Sequence, residues 1–177
     1  MSSAAELRHE LHRHPEVSGF EAETAARIFR FFEPLQPDEV LRGLGGHGAA
    51  FVFSGAEPGP TVLLRCELDG LPIRELSQAA HCSTVDGRSH ACGHDGHMAI
   101  LASVGETLST ARPPKGRVVL LFQPAEENGG GAEAVIRDTR FPKIRPDFVF
   151  ALHNLPGFPL GQAVSYTHLT LPTILLV

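Results

Sequence analysis

Gly116-Arg-Val-Val-Leu-Leu-Phe122 runs straight into Gln123-Pro-Ala-Glu-Glu-Asn-Gly-Gly-Gly131. From Val118 to Phe122 the apolar residues do not alternate with polar ones, which is the pattern of a strand covered on both faces. Asp147-Phe-Val-Phe-Ala-Leu152 has the same character and predicts a second buried strand. Between the two, Gly129–Gly131 opens a helix expected to run through Arg137. Upstream, Ala49–Phe53 and Thr61–Cys66 are compact apolar runs parted by Gly55-Ala-Glu-Pro-Gly-Pro60, so they predict a strand, a turn and a strand. Asp95–Leu108 predicts a helix that buries Met98, Leu101, Ala102 and Gly105. Nearer the N-terminus, residues 4–14 predict a short helix with Leu7 and Leu11 on one face, ended by Pro15. Glu21–Glu33 predicts another, with Ala25, Ile28, Phe29 and Phe32 together and Pro34 and Pro37 closing it. Gly43-Leu-Gly-Gly-His-Gly48 reads as a flexible link. Strands alternating with helices make this an α/β chain, a sheet with helices on both faces.

Composition removes several function classes. With 15 Lys and Arg against 20 Asp and Glu, the net charge of −5 argues against nucleic acid as a partner, because phosphate binding needs clustered positive charge. The chain has no apolar run of about 18 residues, so no membrane span is expected. Met1–Glu16 lacks the apolar core of a signal peptide, and a cytoplasmic location is the expectation. Three cysteines, Cys66, Cys82 and Cys92, do not suggest a disulfide framework. Histidine is the unusual residue. There are ten, and His81, His90, His94 and His97 fall close together beside Cys82 and Cys92.

Four segments at or beside inferred strand ends carry most of the reactive side chains, where open α/β sheets place their sites. In Arg65-Cys-Glu-Leu-Asp-Gly-Leu-Pro72, Glu67 and Asp69 are two apart and can point the same way. Taken alone, the stretch reads as a solvated loop. In His90-Ala-Cys-Gly-His-Asp-Gly-His97, a Cys-x-His pair can hold a transition metal from one turn, with Gly93 and Gly96 letting the backbone wrap tightly. The alternative is a polar loop that starts a helix with Asp95 as its N-cap. Glu126 and Glu127 follow the buried strand and precede a helix, where carboxylates are favoured electrostatically in any case. Their functional reading divides the labour, one carboxylate binding metal and the other free as a base. His153 ends an apolar strand, and such a histidine is often a hydrogen-bonded core residue. Cys66 reads as a small hydrophobe in a strand. A thiol protease built on Cys92 leaves Glu126 and Glu127 without a task.

The chain resembles the hippurate hydrolase and indole-3-acetyl-amino-acid hydrolase group of dimetal amidohydrolases, within the aminoacylase and carboxypeptidase G-type metallopeptidases. The matching stretches are Leu11-His-Arg-His-Pro-Glu16, Gly59-Pro-Thr-Val-Leu-Leu-Arg65, Glu67-Leu-Asp-Gly-Leu-Pro-Ile73, His90-Ala-Cys-Gly-His-Asp-Gly-His-Met-Ala99, Leu121-Phe-Gln-Pro-Ala-Glu-Glu127 and Leu152-His-Asn-Leu-Pro-Gly-Phe-Pro-Leu-Gly161. The resemblance implies that Cys92, His94, Glu127 and His153 are metal ligands, that Glu126 is the general base, and that Asp69 is an acid just behind the metals. Glu67 departs from the group, which usually has Asp there, and its role stays open. The implied cofactors are two divalent ions, Zn²⁺ or Mn²⁺, with a thiolate ligand favouring the softer metal. The implied reaction splits an N-acyl amino acid into a carboxylic acid and an amino acid. In it Glu126 takes a proton from an activated water and passes it to the leaving amine.

The resemblance also implies that residues 1–164 are the N-terminal part of a catalytic domain of the dimetal exopeptidase type, with a mixed sheet. A lid domain carrying dimer contacts and a last His ligand belongs after this point, so the 177-residue chain itself is expected to be inactive. Residues 165–177, Ser-Tyr-Thr-His-Leu-Thr-Leu-Pro-Thr-Ile-Leu-Leu-Val, do not continue the group's pattern and read as a non-native, adapter-derived tail, so His168 is set aside as a ligand. Two other classes remain in view. A non-catalytic metal-binding module would need the ligands but not Glu126. A protein-interaction domain would need neither.

Overall fold

The computed structural model describes residues 3–155, 157–159 and 161–162, so the expectations for residues 165–177 and for His168 lie outside the described residues. Helices α1 (Ala4–Arg13) and α2 (Ala22–Phe32) come first. Ser3 and Glu6 form a capping box at the start of α1, each satisfying a backbone N–H of the other. Strands β1 (Glu39–Leu44), β2 (Gly48–Ser54) and β3 (Glu57–Glu67) follow. Then come α3 (His94–Thr110), β4 (Lys115–Gln123), α4 (Gly131–Arg137) and β5 (Phe148–Ala151).

The five strands form one mixed sheet in the order β1-β2-β4-β3-β5. β2 runs antiparallel to β1 and β4, whereas β3 runs parallel to both β4 and β5. The step from β3 to β4 and the step from β4 to β5 cross the sheet in opposite directions. Right-handed crossovers therefore put α3 and α4 on opposite faces. On one face Leu7, Leu11, Ile28, Phe32, Met98 and Leu101 of the first three helices pack on Phe51, Phe53, Leu120 and Phe122. On the other, Val135 and Ile144 cover Leu41, Val52, Leu63, Val119 and Leu121. Successive residues of β4 thus serve alternate cores, which is why its sequence is apolar without a break. Gly105 lets α3 approach α2, since a Cβ there would lie 2.5 Å from Phe32 Cε1.

Two expectations need correction. The glycine-rich link is a turn that follows an unexpected strand: Leu41 and Leu44 are buried, β1 pairs with β2 from Glu39↔Val52 to Leu44↔Gly48, and the glycines form the turn between them. The expected strand, turn and strand are present as β2 and β3, with β4 between them in the sheet. Finally, β5 is not buried. It sits at the sheet edge beside β3, and Phe148, Val149 and Phe150 are 56%, 58% and 58% exposed. Its apolar composition is that of a covered strand, but among the described residues nothing packs over it.

Candidate metal centre

The parallel strands β3, β4 and β5 end on the same side of the sheet, and each chemistry-bearing segment leaves from one of those ends or from the start of α3. Glu67 closes β3 and Asp69 lies two residues beyond, both fully buried, so the solvated-loop reading of this stretch is wrong. Asp69 Oδ2 accepts hydrogen bonds from Ser18 Oγ at 2.6 Å and from the Glu127 amide at 3.0 Å. Its carbonyl accepts the Nδ1–H of His94 at 2.7 Å. Burial pushes the Asp69 carboxyl up, but hydrogen bonds from His94, Ser18 and the Glu127 amide outweigh it and bring the pKa down to about 2.

The Cys92-Gly-His94 turn starts α3. Gly93 caps the helix in the left-handed region at φ 89°, so Asp95 lies inside the first turn and is not the N-cap. With Nδ1 committed to the Asp69 carbonyl, the other ring nitrogen of His94 is free to act as a ligand. That Nε2 is buried without a hydrogen-bond partner. It lies 3.7 Å from Glu127 Oε1 and 3.8 Å from Glu126 Oε2. His153 is arranged in the same way: Nδ1–H donates to the Asn154 carbonyl at 2.7 Å, and Nε2 faces Cys92 Sγ at 3.4 Å. Ligand atoms of Cys92, His94 and His153 all fall within 4.8 Å of one another, as do those of His94, Glu126 and Glu127. The structure thus brings together every residue expected to hold metal, with Glu126 beside them and Asp69 directly behind His94.

The electrostatics of this cluster suit a cation. Burial, followed by the carboxylates of Glu127, Glu126 and Glu67, pushes the Cys92 thiol up to about 12. A thiol held that high is a poor nucleophile, which does not favour the thiol-protease alternative. Burial works against a charge on His94, but the surrounding Asp69 and Glu67 carboxylates raise its pKa nonetheless. A soft sulfur, two carboxylates and two imidazoles presenting Nε2, that of His94 buried and unpartnered, form a donor set that fits divalent metal.

The carboxylate pair leaves β4 through an unusual turn. Ala125 takes a left-handed φ of 50°, uncommon for a residue with a Cβ. Its amide donates to Glu21 Oε1 at 2.7 Å and its carbonyl accepts the Gly131 amide at 2.9 Å. Glu21 is fully buried at the start of α2 and fixes the turn that aims Glu126 and Glu127. The sequence gives no sign of this task, since Glu21 reads as an ordinary acid at a helix N-terminus. His97 belongs to the histidine-rich segment but receives no individual role from the sequence, although it lies one helical turn beyond His94 and therefore on the same side of α3.

The peptidase family M20/M25/M40 matches residues 63–168, which include Glu67, Asp69, Cys92, His94, His97, Glu126, Glu127 and His153. This chain belongs to that family. The N-acetyldiaminopimelate deacetylase of Oceanobacillus iheyensis is 34% identical over 165 residues, covering 93% of this chain and 44% of the relative. The N-acetylcysteine deacetylase of Bacillus subtilis is 36% identical over 156 residues, covering 88% of this chain and 40% of the relative. The crystal structure of Bacillus subtilis YxeP, a dinuclear metal-binding peptidase of the M20 family, superposes with a TM-score of 0.79 at 36% identity, over 88% of this chain and 43% of that one. The chain thus spans less than half the length of these relatives. The mixed α/β sheet is the corresponding part of the M20 catalytic domain.

Proposed function

We propose that this chain forms the metal-binding part of an amidohydrolase that cleaves N-acyl amino acids into a carboxylic acid and an amino acid. The observation that carries the proposal is the convergence of Cys92, His94, Glu126, Glu127 and His153 around the unpartnered Nε2 of His94. Cys92, His94, Glu127 and His153 are the ligands in this reading, and Zn²⁺ or Mn²⁺ the ions. Bound divalent cations supply Lewis-acid polarisation of an amide carbonyl and make water acidic enough to react near neutrality.

The chain's own groups do the rest. Both glutamate side chains are partly open, 33% exposed for Glu126 and 21% for Glu127, and Glu126 is the base in this reading. Its Oε2 accepts a proton from the attacking water and later delivers it to the departing amine. Asp69 holds the Glu127 backbone through its amide and the His94 ring through its own carbonyl. Substrates of the kind named for the relatives, N-acetyldiaminopimelate and N-acetylcysteine, are the class this reading assigns to the site.

The reading extends to domain organisation. In this reading residues 1–164 supply part of a catalytic domain, and turnover needs a lid domain that completes the ligand set and carries dimer contacts. The relatives' greater length supports this part. The cytoplasmic assignment rests on the free cysteines and on the lack, among the described residues, of a helix long and apolar enough to cross a membrane.

The test compares residues 1–177 with a longer gene product on N-acetylcysteine and N-acetyldiaminopimelate, with Zn²⁺ or Mn²⁺ added. In the longer protein Glu126→Gln is expected to keep its metal and lose about 10²–10⁴-fold in turnover. Near-normal turnover would assign the base elsewhere. Comparable activity from residues 1–177 would overturn the domain reading. The non-catalytic metal-binding module gains no support from the geometry, because storage gives no reason for a free carboxylate 3.8 Å from His94 Nε2.

A further inference from the structure

Glu67 and His97 are fully or nearly fully buried beside the ligands, yet the proposed chemistry uses neither. Both carboxylate oxygens of Glu67 are engaged. Oε1 accepts from Arg65 Nη1 at 2.5 Å, and Oε2 shares a hydrogen bond with His97 Nδ1 at 2.8 Å. Arg65 is steadied in turn by Gln123, whose Oε1 accepts from Arg65 Nε at 2.9 Å. The other nitrogen of His97 faces Asn154, 2.5 Å from its Oδ1 and 3.2 Å from its backbone N.

Asn154 is the neighbour of His153, and its carbonyl is the acceptor that orients the His153 ring. Its side chain also seats on the Cys92–His94 turn: a Cβ on Gly93 would fall 2.5 Å from Asn154 Oδ1. A continuous path therefore runs from the end of β3, through Glu67 and His97, to Asn154 and then to the ring that faces Cys92. His153 and Asn154 are themselves exposed and outside any strand or helix, so no apolar core fixes them; the His153 ring stands edge-on to His97 at 4.7 Å and to His94 at 5.8 Å between ring centroids.

We propose that His97, held by Glu67, is a positioning residue that sets the His153 imidazole against Cys92 by clamping Asn154. This rests on the reading of Cys92 and His153 as ligands and adds the device that holds one against the other. Ligand atoms of Glu67, His94 and His97 also fall within 4.8 Å of one another. That trio is not a further metal site, because both oxygens of Glu67 and both nitrogens of His97 already have partners, and an ion would have to break those contacts.

The experiment is a titration of the 177-residue chain with Co²⁺ under reducing conditions, followed by the thiolate-to-cobalt charge-transfer absorption. The wild type is expected to develop the band and saturate. A wild type without it would sink the ligand reading itself, and this proposal with it. Given the band, His97→Ala is expected to weaken Co²⁺ binding toward the upper part of the roughly 10–100-fold range typical of residues that orient ligands, with the metal content at saturation unchanged. Asn154→Ala, at an exposed position, keeps its backbone N–H and is expected to lose about tenfold. His97→Gln can still bond to both neighbours and is expected to recover part of the loss.

Wild-type affinity in both alanine variants would overturn the proposal. So would an effect of His97→Ala unaccompanied by one from Asn154→Ala, since His97 would then not act through Asn154. Loss of a whole metal equivalent in Glu67→Gln would overturn it from the other side by making the trio a ligand set. If His97→Ala fails to fold, as judged by circular dichroism, Asn154→Ala alone decides.

Discussion

The candidate metal centre has two halves that are built differently. One half, Glu67, Asp69 and His94, is fully buried, and its hydrogen bonds reach β3, α3, Ser18 and the turn after β4. The other half, Cys92, Glu126, Glu127 and His153, is open to different degrees, and the His153 ring is held by contacts within the site alone: the Asn154 carbonyl, the Cys92 sulfur and the His94 and His97 rings. The buried half is part of the core as much as of the site. Folding alone sets its geometry, whereas the open half keeps the access that water, metal and substrate need. Precision on one side and entry on the other is the division expected of a site at the carboxyl ends of strands.

The most severe test of this contrast is Asp69→Ala. It removes the fully buried acceptor for Ser18 Oγ and for the Glu127 amide, and it leaves these part-buried donors facing a void. Breaking a buried charged network in this way typically costs about 3–5 kcal/mol. Urea unfolding should show a loss of that size. If Asp69→Ala unfolds at the wild-type midpoint, the buried half is not a structural element and the contrast collapses.

Gly93→Ala probes the seam between the halves and should cost less, about 1–3 kcal/mol, the usual penalty for a strained backbone position. Two effects combine: φ is 89°, and the new Cβ would meet Asn154 Oδ1 at 2.5 Å. The same unfolding measurement applies. A stability loss without weaker Co²⁺ binding would show that Asn154 is free to move away, and that the seam matters to the fold alone.

Much of this was readable from the residues. The unbroken apolar run in β4 announces a strand between two cores, and the Cys92-Gly-His94 and Glu126-Glu127 pairs announce metal chemistry by their donor types and spacing. What was hidden depends on contacts between distant parts of the chain. The β1 strand is masked by glycines that belong to its turn. The exposure of β5 cannot be read from Phe148-Val-Phe150, because composition records what a strand is suited to touch and not what is there. Glu21 and Glu67 look like ordinary acids until the fold shows which amide or ring each one holds.

A smaller effect is expected at the back of the buried half. His12 Nδ1 lies 2.9 Å from Asp95 Oδ2, and its Nε2 lies 3.1 Å from Glu75 Oε1. Arg8 shares the Asp95 carboxylate, and the rings of His81 and His90 stand nearby. Burial lowers the His12 pKa, but hydrogen bonds and charge attraction from Glu75 and Asp95 raise it overall above 6.5. A pKa raised in the folded state gives stability that is fully present below the unfolded value and is lost as pH rises through the folded one. Unfolding midpoints should therefore drop as pH climbs above about 6.5, and His12→Asn should remove that component of the slope. An unchanged slope in the variant would show that the tether between α1 and the segment around Glu75 does not titrate with His12.

The smallest expected change in stability is the one that separates the halves most cleanly. His153 is exposed and follows an edge strand whose own faces are open. Its ring contributes a hydrogen bond to the adjacent residue, a contact with the Cys92 sulfur and edge contacts with the His94 and His97 rings, and none of these joins an apolar core. His153→Ala should therefore move the urea midpoint by no more than about 0.5 kcal/mol, as surface substitutions usually do. The same variant removes a proposed ligand, so Co²⁺ binding should weaken by more than in Asn154→Ala, where the ligand survives and only its orientation is lost. Asp69→Ala should lose both stability and metal, and His153→Ala only metal. A large loss of stability in His153→Ala would mean that the open half is also held by the fold, and the two halves would then be one.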